Sequence, residues 1–183
     1  MSVFWKKTLC LCMGVLLFLG GIGFGAYRGW QQEYETLMAL SQEEQGLDQF
    51  LLYLGADASN LLAVAHRHLP DTDPQVSALQ QSAQILLFAS VEAKLPAFSL
   101  LSDQAYALQE QLKQQDSFQQ SQRDQVYLST LLRDIATLKE LAYASAYNHA
   151  AKDYNQRMES SFTGKLSKAL GGKKALLFQQ SFQ

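Results

Sequence analysis

The sequence predicts an all-α protein, an N-terminal transmembrane helix followed by an up-and-down antiparallel bundle of about four helices. Three observations predict it. No residue from Thr8 to Tyr27 is charged. Apolar residues recur at spacings of three and four through the rest of the chain. The composition, with 3 Pro and 11 Gly in 183 residues, favours helices over turn-rich sheet. On this reading residues 1–28 form a stub and transmembrane helix, 29–162 a helical bundle, and 163–183 a basic amphipathic tail. The length beyond the apolar run suits one compact domain.

At about 1.5 Å per residue the uncharged run spans roughly 30 Å, the thickness of a bilayer's hydrocarbon. Lys6 and Lys7 precede it, Arg28 closes it, and Trp5 and Trp30 bracket it as interface aromatics do. Gly23 and Gly25 are small enough to precede a signal-peptide cut, but the run exceeds the roughly 7–15 residues of a signal core. An uncleaved anchor is the preferred reading. Lys6 and Lys7 outweigh Arg28, and acidic Glu33 and Glu35 follow. The positive-inside rule then puts the N-terminus in the cytoplasm and the bulk domain outside. Gly21, Gly25 and Gly29 recur every four residues, a flat face on which a second membrane helix can pack to give a homodimer. Glycine is also common in membrane helices generally.

The first helix after the anchor is expected from Arg28 to His68, able to run on from it, with a polar middle from Ser41 to Gly46 where a kink or frayed stretch is compatible with the sequence, and with weakening at Gly46 and Gly55. The second starts after Asp73, a capping residue, with Pro74 in the first helical position. It carries Val76, Leu79, Ala83, Leu86, Leu87, Ser90 and Val91 on one face, and Pro96 ends or kinks it. The third buries Phe98, Leu101, Ala105, Leu108 and Leu112 and leads into a Gln-rich stretch. The fourth is expected as one long helix from Ser121 to Glu159, without internal Gly or Pro, burying Leu128, Leu131, Leu132, Ile135, Leu138, Ala142 and Ala146. In an up-and-down order this helix returns towards the membrane. The tail's Lys165, Lys168, Lys173 and Lys174, mixed with Leu and Phe, then suit contact with an anionic lipid surface.

The most specific stretch is Tyr147-Asn148 through Tyr154-Asn155, a dipeptide repeated after seven residues. Seven residues is close to two turns, so Tyr147 and Tyr154 share a face, and Tyr143 lies one turn earlier. Three rings bury a large area and each hydroxyl needs a partner. Asn is a poor residue inside a helix, so Asn148 and Asn155 are expected to hydrogen-bond to another helix and fix register, or else to line a peptide or ligand groove. The repeat, followed by Phe162 and a Gly/Leu/Lys tail closing at Leu177-Phe178, resembles the LemA family of bacterial membrane proteins. Asn60-Leu61-Leu62 is similar to that family's Asn-Leu-Val. The likeness covers roughly 35 residues, and it departs at Ser59 and Thr163, where the family usually has Pro. It implies a membrane-anchored helical fold in the bacterial cytoplasmic membrane and no particular chemistry.

Catalytic patterns are weak. A net charge of −2 gives no electrostatic case for binding nucleic acid. The only cysteines, Cys10 and Cys12, lie in the apolar run, so the rest of the chain has no disulfide or thiolate metal site. His66 and His68 diverge on a helix and share a metal only at a frayed end, with Asp71 or Asp73 as a third ligand. His149 and Asp153 read as a surface pair at i,i+4. Neither Glu-x-x-His nor a phosphate loop occurs. The expectation is therefore a scaffold without enzymatic activity, metal or cofactor, whose partners are the bilayer and other membrane or envelope proteins. A ligand-sensing module acting through a separate membrane protein is the alternative.

Overall fold

The computed structural model describes residues 3–43 and 46–178, with side chains from Leu11 onward. The side chains of Trp5, Lys6, Lys7 and Cys10, and the residues Glu44 and 179–183, lie outside the described set. All elements among the described residues are helices: α1 (Val3–Ser41), α2 (Leu47–Ala65), α3 (Pro74–Phe88), α4 (Val91–Lys113), α5 (Asp116–Gln119), α6 (Gln122–Tyr143), α7 (Ala146–Ser160) and α8 (Phe162–Ala169). Residues 172–178 run without regular structure. The chain divides into two compact units, Met1–Ala39 with Ala150–Ala175, and Leu40–His149 with Leu176–Gln183.

Helix α2 organises the second unit, packing on α3, α4 and α6. Its buried stripe of Leu47, Leu51, Leu54, Ala58, Leu61 and Ala65 follows the 3.6-residue period. The helices packed on it bury Val76, Leu79 and Leu86 of α3, Phe98, Leu101 and Leu108 of α4, and Leu128, Leu131 and Ile135 of α6. Each fully buried Leu contributes about 1.5–3 kcal/mol. Gly55 has a packing reason rather than a weakening role. A Cβ there would lie 2.8 Å from Leu87 Cγ, so glycine lets α3 approach α2 closely. Asp73 caps α3, accepting from the Gln75 and Val76 amides at 2.8 and 3.4 Å, with Pro74 following it.

Three helix boundaries differ from the sequence reading. The helix expected over Arg28–His68 is two, α1 and α2, because Gly46 turns the chain at the start of α2. The second and third helices separate at Ala89 and Ser90, both extended, and not at Pro96, which lies inside α4. Proline there costs the one hydrogen bond its missing N–H would have made, and α4 carries Leu101, Leu108 and Leu112 fully buried, packing that outweighs it. The long fourth helix is α6 and α7, broken at Ala144-Ser145. Ser145 Oγ accepts from the Asn148 amide at 3.3 Å, a cap that starts a new helix without Gly or Pro.

In the first unit α1 changes character along its length. Its side chains from Leu11 to Leu19 are exposed, with Leu11 and Leu17 above 70%. Farther on, Trp30 and Leu37 are buried. Trp30 meets Tyr154 edge-on at 5.2 Å, and Arg157 pairs with Glu33. Helix α8 is capped by Ser161, whose Oγ accepts from the Gly164 amide at 3.0 Å. It ends at Gly171, whose φ of 94° is a left-handed conformation that suits glycine.

Candidate functional site

The Tyr-Asn repeat is where sequence and geometry converge. Helix α7 gives its first residues to one unit and the remainder to the other. In each unit one Tyr-Asn pair holds part of the extended segment after α8. In the second unit, Asn148 Nδ2 donates to the Phe178 carbonyl at 2.6 Å, and Asn148 Oδ1 accepts from the Phe178 amide at 2.9 Å. Tyr147 donates to the Leu176 carbonyl at 3.2 Å. In the first unit, Asn155 makes the same two bonds with Ala175, at 2.8 and 2.9 Å, and Tyr154 donates to the Lys173 carbonyl at 3.1 Å. Each Asn side-chain amide thus acts as a peptide group does across a sheet, satisfying a main-chain donor and acceptor together.

The spacing follows from elementary dimensions. Seven residues of α-helix rise about 10.5 Å, and three residues of extended chain cover about 10 Å. A dipeptide repeated every seven residues therefore matches backbone groups three residues apart, Ala175 and Phe178. The sequence reading placed the asparagine partners on another helix; the partner is instead the extended tail. That segment is too short and unpatterned to read as an element, so the partner had no sequence signal of its own.

Phe178 is fully buried, its ring edge-on to Phe98 at 5.1 Å and to Tyr147 at 6.4 Å. Tyr143 meets Phe98 from a separate direction at 5.3 Å, and Asn148 Nδ2 also donates to the Tyr143 carbonyl at 3.0 Å. Tyr143 thus belongs to the end of α6, beyond the break, and does not continue the α7 row. Burial, then Glu140, pushes the Tyr143 phenol up; burial, then Glu33, does the same for Tyr154. Lys139 lies 4.9 Å from the Phe98 ring centre and donates to Ser102 Oγ at 3.0 Å. Burial holds its ammonium below the ordinary lysine range.

The other sequence-flagged residues are dispersed. A Cβ at Gly21, Gly25 or Gly29 would meet nothing within 4 Å, so that face of α1 is open. Lys165, Lys168, Lys173 and Lys174 are exposed. Lys174 pairs with Glu159, and this bond and charge hold the Glu159 carboxyl below its usual range.

His66 and His68 are joined to carboxylates rather than to each other. His66 Nδ1 lies 2.6 Å from Asp71, while Asp73 caps α3 and accepts from Gln111. Sequence reasoning missed the set around Asp124. His68 bridges Ser117 Oγ and Asp124 Oδ2, each at 3.0 Å, and Arg67 and Ser121 also donate to Asp124. Burial pushes the Asp124 carboxyl up, but the His68 and Ser121 hydrogen bonds and the Arg67 charge outweigh it and hold it low. The side chains of His68 and Asp124 are buried, and the set ties the turn after α2 to α5 and α6. The sequence reading singles out His68 and starts the fourth helix at Ser121, without joining either to Asp124. Among the described residues no three His, Cys, Asp or Glu side chains converge as metal ligands do.

One N-terminal helix is long and apolar enough to cross a membrane. No family model, curated protein or solved structure matches this chain.

Proposed function

We propose that this protein is a membrane-anchored helical scaffold, a divergent relative of the LemA type, that binds other membrane or envelope proteins and has no catalytic role. The observation that carries the proposal is the exposed apolar stretch of α1. Leu11, Leu16, Leu17, Phe18 and Phe24 are all above 60% exposed, far more apolar surface than a soluble domain leaves in water. A bilayer removes that cost. The helices α2, α3, α4 and α6 then serve as an antiparallel up-and-down bundle beyond the membrane. The charges around the apolar run favour an N-terminus in the bacterial cytoplasm and a bundle outside it.

Alkaline carbonate extraction of membranes tests the anchor. The full chain is expected in the pellet, and release into the supernatant would end this reading. A reporter fused after Gln183 that works on one side of the membrane tests orientation. Signal from the extracytoplasmic form directs crosslinking to envelope partners, and signal from the cytoplasmic form reverses the orientation.

A further inference from the structure

A cleft of about 470 Å³ opens in the first unit where the apolar run of α1 ends. Gly25, Ala26 and Gly29 form one wall, Trp30 and Glu33 continue it along α1, and Arg157, Ser160, Ser161 and Thr163 face it. A Cβ at Gly25 or Gly29 would meet nothing within 4 Å, so the wall is flat and unfilled. Leu170, at the end of α8, comes within 3.4 Å of the Cβ position of Gly23. This sets α8 beside the last turns of the apolar run. Phe162, 74% exposed, and Leu170, 51% exposed, flank α8, whose Lys165 and Lys168 are also exposed. Apolar and cationic side chains in that mixture suit a helix lying at a lipid interface.

The charges in the cleft are of both signs. Arg157 and Glu33 face each other as a fork, at 3.1 and 3.2 Å. A guanidinium has five N–H donors and a carboxylate about four acceptor positions, so each retains capacity for a ligand. Both are about half exposed, and the Arg157 guanidinium lies 5.8 Å from the Trp30 ring centre. A purely anionic headgroup would meet the Glu33 carboxylate, and a purely cationic one would meet Arg157. A zwitterion answers both.

From these features we infer that the cleft binds a phosphoethanolamine lipid headgroup. The reading rests on α1 crossing a bilayer. An acyl chain lies on the flat Gly25–Gly29 wall. The phosphate takes hydrogen bonds from Arg157 and the hydroxyls of Ser160, Ser161 and Thr163. The ammonium, two carbons farther from the bilayer, meets Glu33. Glu33 stands one turn beyond Gly29, about 6 Å farther along the helix axis, the side on which the ammonium belongs.

Native mass spectrometry of the full chain released from nanodiscs tests the assignment, with phosphatidylethanolamine, phosphatidylglycerol and phosphatidylcholine at equal fractions. The wild-type chain is expected to retain phosphatidylethanolamine at least tenfold over either competitor. Arg157→Gln should lower that retention about tenfold. Glu33→Gln should lower it too and raise phosphatidylglycerol to parity, because the repelling carboxylate is gone. Gly29→Leu, which fills open space, should reduce retention of all three. Competition by soluble glycerophosphoethanolamine at equal strength would overturn the lipid source in favour of the free headgroup. Equal retention of all lipids, or variants that leave retention unchanged, would overturn the assignment, as would a lipid-free dimer seated on the Gly25–Gly29 face. Carbonate extraction of the same variants separates the two failures. A chain released from membranes loses the anchor reading, and an embedded chain with unaltered lipid retention loses the cleft alone.

Discussion

The two Tyr-Asn pairs are the same dipeptide doing the same main-chain chemistry with different loads. Asn155 holds Ala175, a small residue, beside the exposed Lys174–Glu159 pair. Asn148 holds Phe178, whose ring is fully buried against Phe98 and Tyr147. The difference teaches that the asparagine sets where the tail runs, while the residue it holds sets how strongly. Hydrogen bonds to a backbone give a net of about 0.5–1.5 kcal/mol each, whereas a buried aromatic adds several kcal/mol.

The largest expected effect is the loss of that ring. Phe178→Ala should destabilise the fold by about 3–5 kcal/mol, as large-to-small changes in closed cores do. Ala175→Gly should cost about 1 kcal/mol, the value of one buried methyl and added chain freedom. Urea unfolding of the full chain in detergent measures both, and equal costs would remove the contrast.

A smaller effect is expected from the asparagines. Asn148→Ala strands the buried amide of Phe178 and one bond to the Tyr143 carbonyl, at about 1–3 kcal/mol for each orphaned group. Asn155→Ala has only the Ala175 pair to lose and should cost less. Amide hydrogen exchange reads this locally. Asn148→Ala should speed exchange at Phe178, and Asn155→Ala at Ala175. A uniform change across the chain would argue for global loosening instead. Tyr147→Phe and Tyr154→Phe each remove one bond to a tail carbonyl and should cost about 0.5–1.5 kcal/mol in the same unfolding assay.

The smallest expected difference is in pH response, which has the same sign for the two pairs but falls in separate pH windows. Glu159 titrates lower when folded, so its contribution is present above the ordinary carboxylate range. It fades as pH falls through the folded value. Lys139, beside Phe98, is also held low when folded, but as a cation this penalises the folded state. Its penalty is relieved as pH rises from the folded value towards the ordinary lysine range. Exchange at Ala175, corrected for intrinsic rate, should therefore increase in acid. Alkaline pH should slow exchange at Phe178 relative to Phe178 in Lys139→Met. Matching profiles would show that neither charge acts locally.

The same contrast explains what the sequence could disclose. Buried stripes on α2, α3, α4 and α6 were legible because period and burial coincide at residues such as Leu51, Leu79, Leu101 and Ile135. The breaks were not, since Ser145 and Ser90 start helices with residues that are also ordinary inside them. The Tyr-Asn repeat was visible as a pattern, but its partner was not. Main-chain recognition leaves almost no trace in the partner's side chains, and only Phe178 betrays a buried position. The Asp124 set was hidden for another reason. The bonds that join Arg67 and His68 to Ser117 and Asp124 span 49 to 57 residues, and nothing local requires those halves to meet.

The tail's route has a consequence for the order in which the chain is made. Synthesis delivers α7 before residues 173–178, so Asn148 and Asn155 emerge with their amides answered only by water. The slot beside Phe98 stays open for as long as Phe178, thirty residues downstream of Asn148, has yet to emerge. A chain stalled or cut within that interval would present an apolar slot and two waiting amides to any extended segment nearby. Residues made after α7 thus close the second unit, and a protease or chaperone that senses that slot would be reading whether translation had reached Phe178.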